Sequence, residues 1–297
     1  VELSDGLGSS GWGEAVPYPR YGESTTTALR DAVAAGDRLA AGAPWGKLAE
    51  TLPPGAVRNA LDLAHWDLRS RREGRGLDRI LNRPMAPTLT TAFTISVDRP
   101  ESMARSASAA AHRPLLKVKL NGEPLDGARL AAVRDAAPNA ELIVDANESW
   151  TEAHYLDMLP HLDRVTLLEQ PFPAGRDGAL ATLPRPVPVC ADESCHGAAD
   201  LEALQPCYDA INVKLDKTGG LTAALDLVAR ARTRQLEVMV GCMVCTSLAV
   251  APTFLFGRDA RWFDIDGPLL LTTDRPGGVK EWAPGQLTPP SIWGRAS

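Results

Sequence analysis

Lys119, Asp145, Glu169, Asp192 and Lys214 each end a short apolar run, at successive intervals of 26, 24, 23 and 22 residues. Three carboxylates offer hard oxygen donors, which suit Mg2+, or Mn2+ in its place, and not a thiolate-seeking ion. Brought together without a cation, those acids repel one another at a cost. Two amines flanking such a cation form a device for moving a proton on carbon.

An interval of that length holds one strand, one helix and two short loops. Strand-like runs recur at 91–96, 115–120, 141–145, 165–169, 187–192, 210–214, 237–240 and 262–264, with helical stretches such as 221–230 between them. Alternation of this kind predicts a parallel sheet with right-handed crossovers, and the even spacing favours closure into an eight-stranded barrel. Residues at the C-terminal strand ends of such a barrel meet on one face. Before it, residues 1 to about 24 read as strands and a Gly/Pro/Tyr-rich loop, and a helix is expected from Ser24. A second helix follows Pro53-Pro54, where Val57, Leu61, Ala64 and Leu68 recur at helical spacing, and it stops at Gly74.

Lys117 precedes Lys119 by two residues on one strand, so both point to the barrel interior. The functional reading has Lys119 reaching a substrate while Lys117 and the metal lower its pKa; the plainer one is a structural ion pair. Lys214 ends a strand about four positions around the ring and faces Lys119 across the acids. A Schiff-base lysine is the alternative there, which the acid triad disfavours. Lys217, ahead of Gly219-Gly220, reads as a loop charge or an anion contact. Asp264 and Asp266 alternate at the last strand's end, suited to gripping a cationic group or to capping the final loop.

Net charge is −6 with acids and bases interspersed, which leaves no basic face for nucleic acid or an anionic membrane. The apolar runs are far shorter than the roughly 20 residues of a membrane helix, and with no export signal at the start a cytoplasmic location is expected. Partners are then small molecules or further copies of the chain. Five cysteines, Cys190, Cys195, Cys207, Cys242 and Cys245, are an odd number that argues for reduced thiols. Cys242-Met-Val-Cys245 has redox or zinc spacing but lacks a second such pair or nearby histidines. His65 lies on an apolar helix face and reads as a packing residue.

The motifs Lys117-Val-Lys119, Val144-Asp-Ala-Asn-Glu148, Glu169-Gln-Pro171, Ala191-Asp-Glu-Ser194 and Asn212-Val-Lys-Leu215 together resemble the enolase superfamily. Within its muconate-lactonising subgroup the chain is most similar to dipeptide epimerases of the L-Ala-D/L-Glu type. The likeness runs from 11–24 through 56–68 to the last strand, and its narrower part lies in 241–247 and 263–270. The resemblance implies an α/β fold, a modified TIM barrel of (β/α)7β form with an α+β capping domain. It divides the chain into a cap at 1–87, the barrel at 88–267 and a segment at 268–297 that returns to the cap.

The same resemblance implies one Mg2+ held by Asp145, Glu169 and Asp192, with Lys119 and Lys214 as a two-faced acid/base pair and Lys117 in support. Asp264 and Asp266 would bind a dipeptide's free ammonium, with further substrate contacts at Thr94, Cys242, Met243 and Cys245. Some relatives carry an acidic residue where this chain has Cys245. A mobile specificity loop is expected upstream of Val1. The expected reaction is Mg2+-dependent 1,1-proton transfer at the α-carbon of the dipeptide's C-terminal residue, through an enediolate. With Ala-Glu as substrate it would serve peptidoglycan peptide metabolism. The competing readings are an o-succinylbenzoate synthase or muconate cycloisomerase reaction on the same rim, and an idle metal-binding barrel with a structural role.

Overall fold

In the computed structural model of the chain, residues 1–295 are described, so the last two positions of the expected 268–297 segment lie outside the described residues. Ser24 opens α1 (Thr25–Ala40) through a reciprocal cap, in which Thr27 N donates to Ser24 Oγ and Ser24 N to Thr27 Oγ1, both at 3.1 Å. A short α2 (Trp45–Thr51) leads into α3 (Ala56–Glu73), which begins after Pro53-Pro54 and ends at Gly74 in the left-handed region, φ 59°. His65 on α3 stacks against Trp45 at 5.5 Å, and burial pushes its pKa down to about 4, so it packs as a neutral ring.

The hairpin β1 (Glu2–Ser4) and β2 (Ser10–Trp12) lies directly on α3. A Cβ at Gly11 would stand 2.2 Å from Ala64 O, and one at Gly13 2.0 Å from Ala60 O. Only glycine allows the strand that close to the helix backbone.

After β3 (Leu89–Thr90), eight parallel strands follow in chain order around one sheet. They are β4 (Phe93–Ile95), β5 (Leu115–Lys119), β6 (Glu141–Asp145), β7 (Val165–Glu169), β8 (Val189–Ala191), β9 (Ala210–Lys214), β10 (Glu237–Gly241) and β11 (Trp262–Asp264). The ring closes where Thr91 bridges Phe263 and Ala92 N donates to Phe263 O at 2.8 Å. Crossovers range from the thirteen-residue helix Leu221–Thr233 to the single turn Leu201–Leu204. The architecture is the expected modified TIM barrel with an α+β cap.

β12 (Lys280–Ala283) and β13 (Gln286–Thr288) form a hairpin that pairs with β3. Beyond it, the Trp293 indole donates to Leu63 O at 3.1 Å and Gly294 N to Asp67 Oδ1 at 2.7 Å, both on α3. All five cysteines are free thiols. Among the described residues no helix is long and apolar enough to cross a membrane.

Side chains alternate along each strand, so barrel interiors stack in layers. The lower layer is apolar and takes one residue from each strand: Ala92, Leu115, Ile143, Leu167, Cys190, Ala210, Met239 and Trp262. Two residues further along, the same strands present Thr94, Lys117, Asp145, Glu169, Asp192, Asn212, Gly241 and Asp264. The polar site therefore rests on a dry floor.

Candidate active site

Lys117 stands at the centre of the polar layer, 1% exposed, with Nζ 2.6 Å from Glu169 Oε2, 2.7 Å from Asp264 Oδ2 and 3.0 Å from Asp145 Oδ2. Burial opposes its charge, but the surrounding carboxylates outweigh burial and hold its pKa well above the usual lysine value. Lys119, one step outward, donates to Asp145 Oδ2 at 2.6 Å and to Asn147 Oδ1 at 2.9 Å. Across the layer, Lys214 donates to Asp192 Oδ2 at 2.6 Å.

Lys217 is not the loop charge that its position suggested. The turn Leu215–Thr218 folds it back inside, where Nζ donates to Asp192 Oδ1 and Asp192 O at 2.6 Å and to Asn212 O at 2.9 Å. A buried ammonium needs such partners.

The acids differ in how readily they ionise because their neighbours differ. For Asp145 burial opposes ionisation, yet Lys117 and Lys119 bring it down to about 2. For Asp192 burial is likewise outweighed, by Lys214 and Lys217, and its pKa falls well below the carboxylate range. Glu169 is pushed up to about 7 by burial and then by the Asp145 charge, with Asn212 Nδ2 donating to its Oε1 at 2.8 Å. Burial also raises Glu193 to about 7, and its Oε2 is buried without a hydrogen-bond partner among the described residues.

Asp145 and Glu169 are register partners on adjacent strands, and Asp192 follows the next strand, so the three backbones span about 10 Å. Their oxygens face the lysine ammonium groups, and among the described residues no three acids converge on one point. The donor chemistry, all carboxylate oxygen on adjacent strand ends, fits a hard divalent cation.

β5 and β9 are four strands apart in a ring of eight, so Lys119 and Lys214 come from opposite sides. Both line one cavity of about 330 Å3, together with Thr94, Asp264, Asp266, Cys242 and Met243. Cys245, expected beside them, is buried behind the wall, and Val244 lines the cavity instead. Asp266 Oδ2 accepts from Thr94 N at 2.9 Å; burial and then the Asp264 charge push its pKa up to about 6. Asp264 Oδ1 is buried with no partner among the described residues.

Several residues in or near the cavity have no signal in strand rhythm. Asn147 and Glu193 each follow a strand-end acid closely, and that adjacency marks them in the sequence. Tyr18 and Tyr21 line the cavity from the cap, where no periodicity points to a site. The cap segment carrying them is pinned to three barrel loops. Glu14 Oε1 accepts from Thr246 N at 2.8 Å, Val16 N donates to Asp216 Oδ1 at 3.0 Å, and Arg20 pairs with Glu148. Gln170, with φ 37°, ties two loops together by accepting from Asp192 N at 2.8 Å and donating to Phe172 O at 2.9 Å.

The sequence profile of the enolase C-terminal domain-like family matches residues 102–275. The L-Ala-D/L-Glu epimerase of Escherichia coli K12 is 44% identical over 279 residues, covering 92% of this chain and 86% of that protein. An N-acetyl-D-glutamate racemase from Pseudoalteromonas is 42% identical over 292 residues, covering 96% and 92%. A crystal structure of an enolase family member from Agrobacterium tumefaciens, with homology to dipeptide epimerases and holding sodium and L-Ala-L-Glu, superposes with a TM-score of 0.92. It is 46% identical, and the match covers 99% of this chain and 90% of that one. The chain belongs to the enolase superfamily and is an isomerase of its epimerase and racemase branch.

Proposed function

We propose that the protein epimerises a dipeptide, of the Ala-Glu kind, at the α-carbon of its C-terminal residue. The observation that carries this reading is that Lys119 and Lys214 line one cavity from opposite sides of the ring. One lysine removes the α-proton from one face and the other returns a proton to the opposite face, which inverts the centre. Asp145, Glu169 and Asp192 would hold a Mg2+ ion, which would supply positive charge next to the substrate carboxylate. Lys117 keeps the acid cluster compact by balancing three of its members at once.

Asp264 and Asp266 set the other end of the substrate. A buried carboxylate oxygen without a partner among the described residues, beside a second acid, is a site for a cationic donor, and a peptide ammonium supplies one through charge-assisted hydrogen bonds. A cavity of about 330 Å3 is at the small end of ligand sites, in keeping with two residues and not a long peptide. Ala-Glu dipeptides would place the reaction in peptidoglycan peptide metabolism.

A racemase of N-acetylated amino acids is the second reading, favoured by the 42% identity to the Pseudoalteromonas protein. It shares the lysine chemistry and has no use for the acid pair. Incubation in D2O with Mg2+ separates the two, with L-Ala-L-Glu, L-Ala-D-Glu and N-acetyl-D-glutamate read by mass and chiral chromatography. The dipeptide reading expects both epimers, each deuterated at the α-carbon, from either dipeptide and slower exchange of the acetylated acid. Faster exchange of the acetylated acid overturns the dipeptide assignment, and no exchange in any of the three overturns the proton-transfer reading.

A further inference from the structure

Asn147 and Glu148 follow the strand-end acid Asp145 and are both left-handed, with φ 43° and 66°. Two successive non-glycine residues in that region are strained and persist only where the surroundings fix them. Here several bonds do so. Asn147 N donates to Asp145 Oδ1 at 2.9 Å and Glu148 N to Gln170 O at 2.8 Å. The Glu148 carboxylate accepts Ala174 N at 2.8 Å and is gripped by Arg20, with Nε to Oε2 at 2.9 Å and Nη2 to Oε1 at 2.8 Å. A two-point Arg–carboxylate pair fixes orientation as well as distance.

This turn aims the Asn147 side chain. Its Oδ1 accepts from Lys119 Nζ at 2.9 Å, and its Nδ2 donates to Glu193 Oε1 at 3.3 Å. We infer that Arg20, reaching across from the cap, is a positioning residue for Lys119 and acts through Glu148 and Asn147. The pair lies where cap and barrel meet, so seating of the cap and aim of the lysine become one event. Among the described residues Lys214 bonds to Asp192, on the other side of the layer, and directly to no member of this chain of contacts. The effect of the clamp is therefore one-sided.

The inference rests on the two-lysine reading above, and the test keeps their failures apart. Arg20→Met, Glu148→Gln, the double variant and Arg20→Lys are compared with Lys119→Ala and Lys214→Ala. The readout is α-deuterium uptake from each epimer separately, together with KM. For the epimer whose α-proton faces Lys119, Arg20→Met and Glu148→Gln each lower exchange by about tenfold or more, the scale of a misplaced catalytic group. Uptake from the opposite epimer and KM stay within about threefold. The double variant is no slower than either single one, since both break the same link. Arg20→Lys, which keeps one charged donor, recovers part of the rate.

Equal loss on both faces, no loss on either, or a change confined to KM, in a background where each lysine variant retains one-faced exchange, overturns the positioning role and leaves the two-lysine reading standing. If neither lysine variant shows one-faced exchange, the two-lysine reading falls and the role of Arg20 falls with it.

Discussion

Lys117 Nζ lies 2.6 Å from Glu169 Oε2, with the two side chains 1% and 0% exposed. The same ammonium also faces Asp145 and Asp264, so one cation balances acids from three strands. Removing one partner of a buried ion pair leaves charge uncompensated, at a cost of about 3–5 kcal/mol. Lys117→Met should therefore unfold well below the parent in EDTA. If the acids hold Mg2+, a cation present only in the folded state compensates, and excess Mg2+ raises the melting temperature of the variant more than that of the parent. Thermal unfolding in EDTA and in Mg2+ checks this. An identical Mg2+ increment in both proteins removes the acids from the cation site.

In the proposed reaction the two lysines divide the work by face. Lys214→Ala should abolish inversion in both directions, by roughly 10²–10⁴-fold, the usual loss of a positioned acid or base. Deuterium uptake should survive for the one epimer that presents its α-proton to Lys119. Lys119→Ala should show the mirror result. Mass and chiral analysis of each epimer in D2O measures both, and full epimerisation by either variant contradicts a two-base reaction.

The acid pair makes a claim about substrate, and Asp266→Asn tests it. Asparagine keeps a carbonyl oxygen for Thr94 N, so the local backbone is preserved while the charge is lost. A hydrogen bond to a charged group contributes about 1.5–3 kcal/mol, or about 10–150-fold. KM for the dipeptide should rise by that factor with a smaller change in kcat, and N-acetyl-D-glutamate should be unaffected. Equal penalties on both substrates would show that the acid does not read the ammonium.

Much of this was legible in the chain because barrel physics repeats. Each strand must supply an apolar residue to the floor and, two positions on, a residue to the polar layer, so a beat that runs through the acids of that layer and the lysines one step outside it, Lys119 and Lys214, marks the strand ends. What the beat cannot expose are contacts between elements distant in sequence. Arg20 meets Glu148 across 128 positions, and Val16 meets Asp216 across 200. Lys217 was misread because strand periodicity ends at Lys214, and only the following turn decides whether the side chain points to solvent or back to Asp192.

Asp216 joins cap and barrel by a single oxygen, which accepts from Val16 N at 3.0 Å and Asn59 Nδ2 at 2.9 Å. Burial raises its pKa from 3.8 to about 6, the two donors oppose the rise, and the nearby Glu23 and Glu14 charges add to it. A carboxyl whose folded pKa is raised holds its proton more tightly in the folded chain. Its contribution is fully present below about pH 4 and is lost as pH rises through about 6, a change of about 3 kcal/mol. Asp216→Asn keeps an acceptor for both donors and cannot ionise. Relative to the parent, the variant should gain about 3 kcal/mol of stability between pH 4 and pH 7, with the gain concentrated between about pH 4 and 6. Urea unfolding at several pH values measures the difference, and a gap that does not change with pH would mean that the buried carboxyl is not the group that titrates.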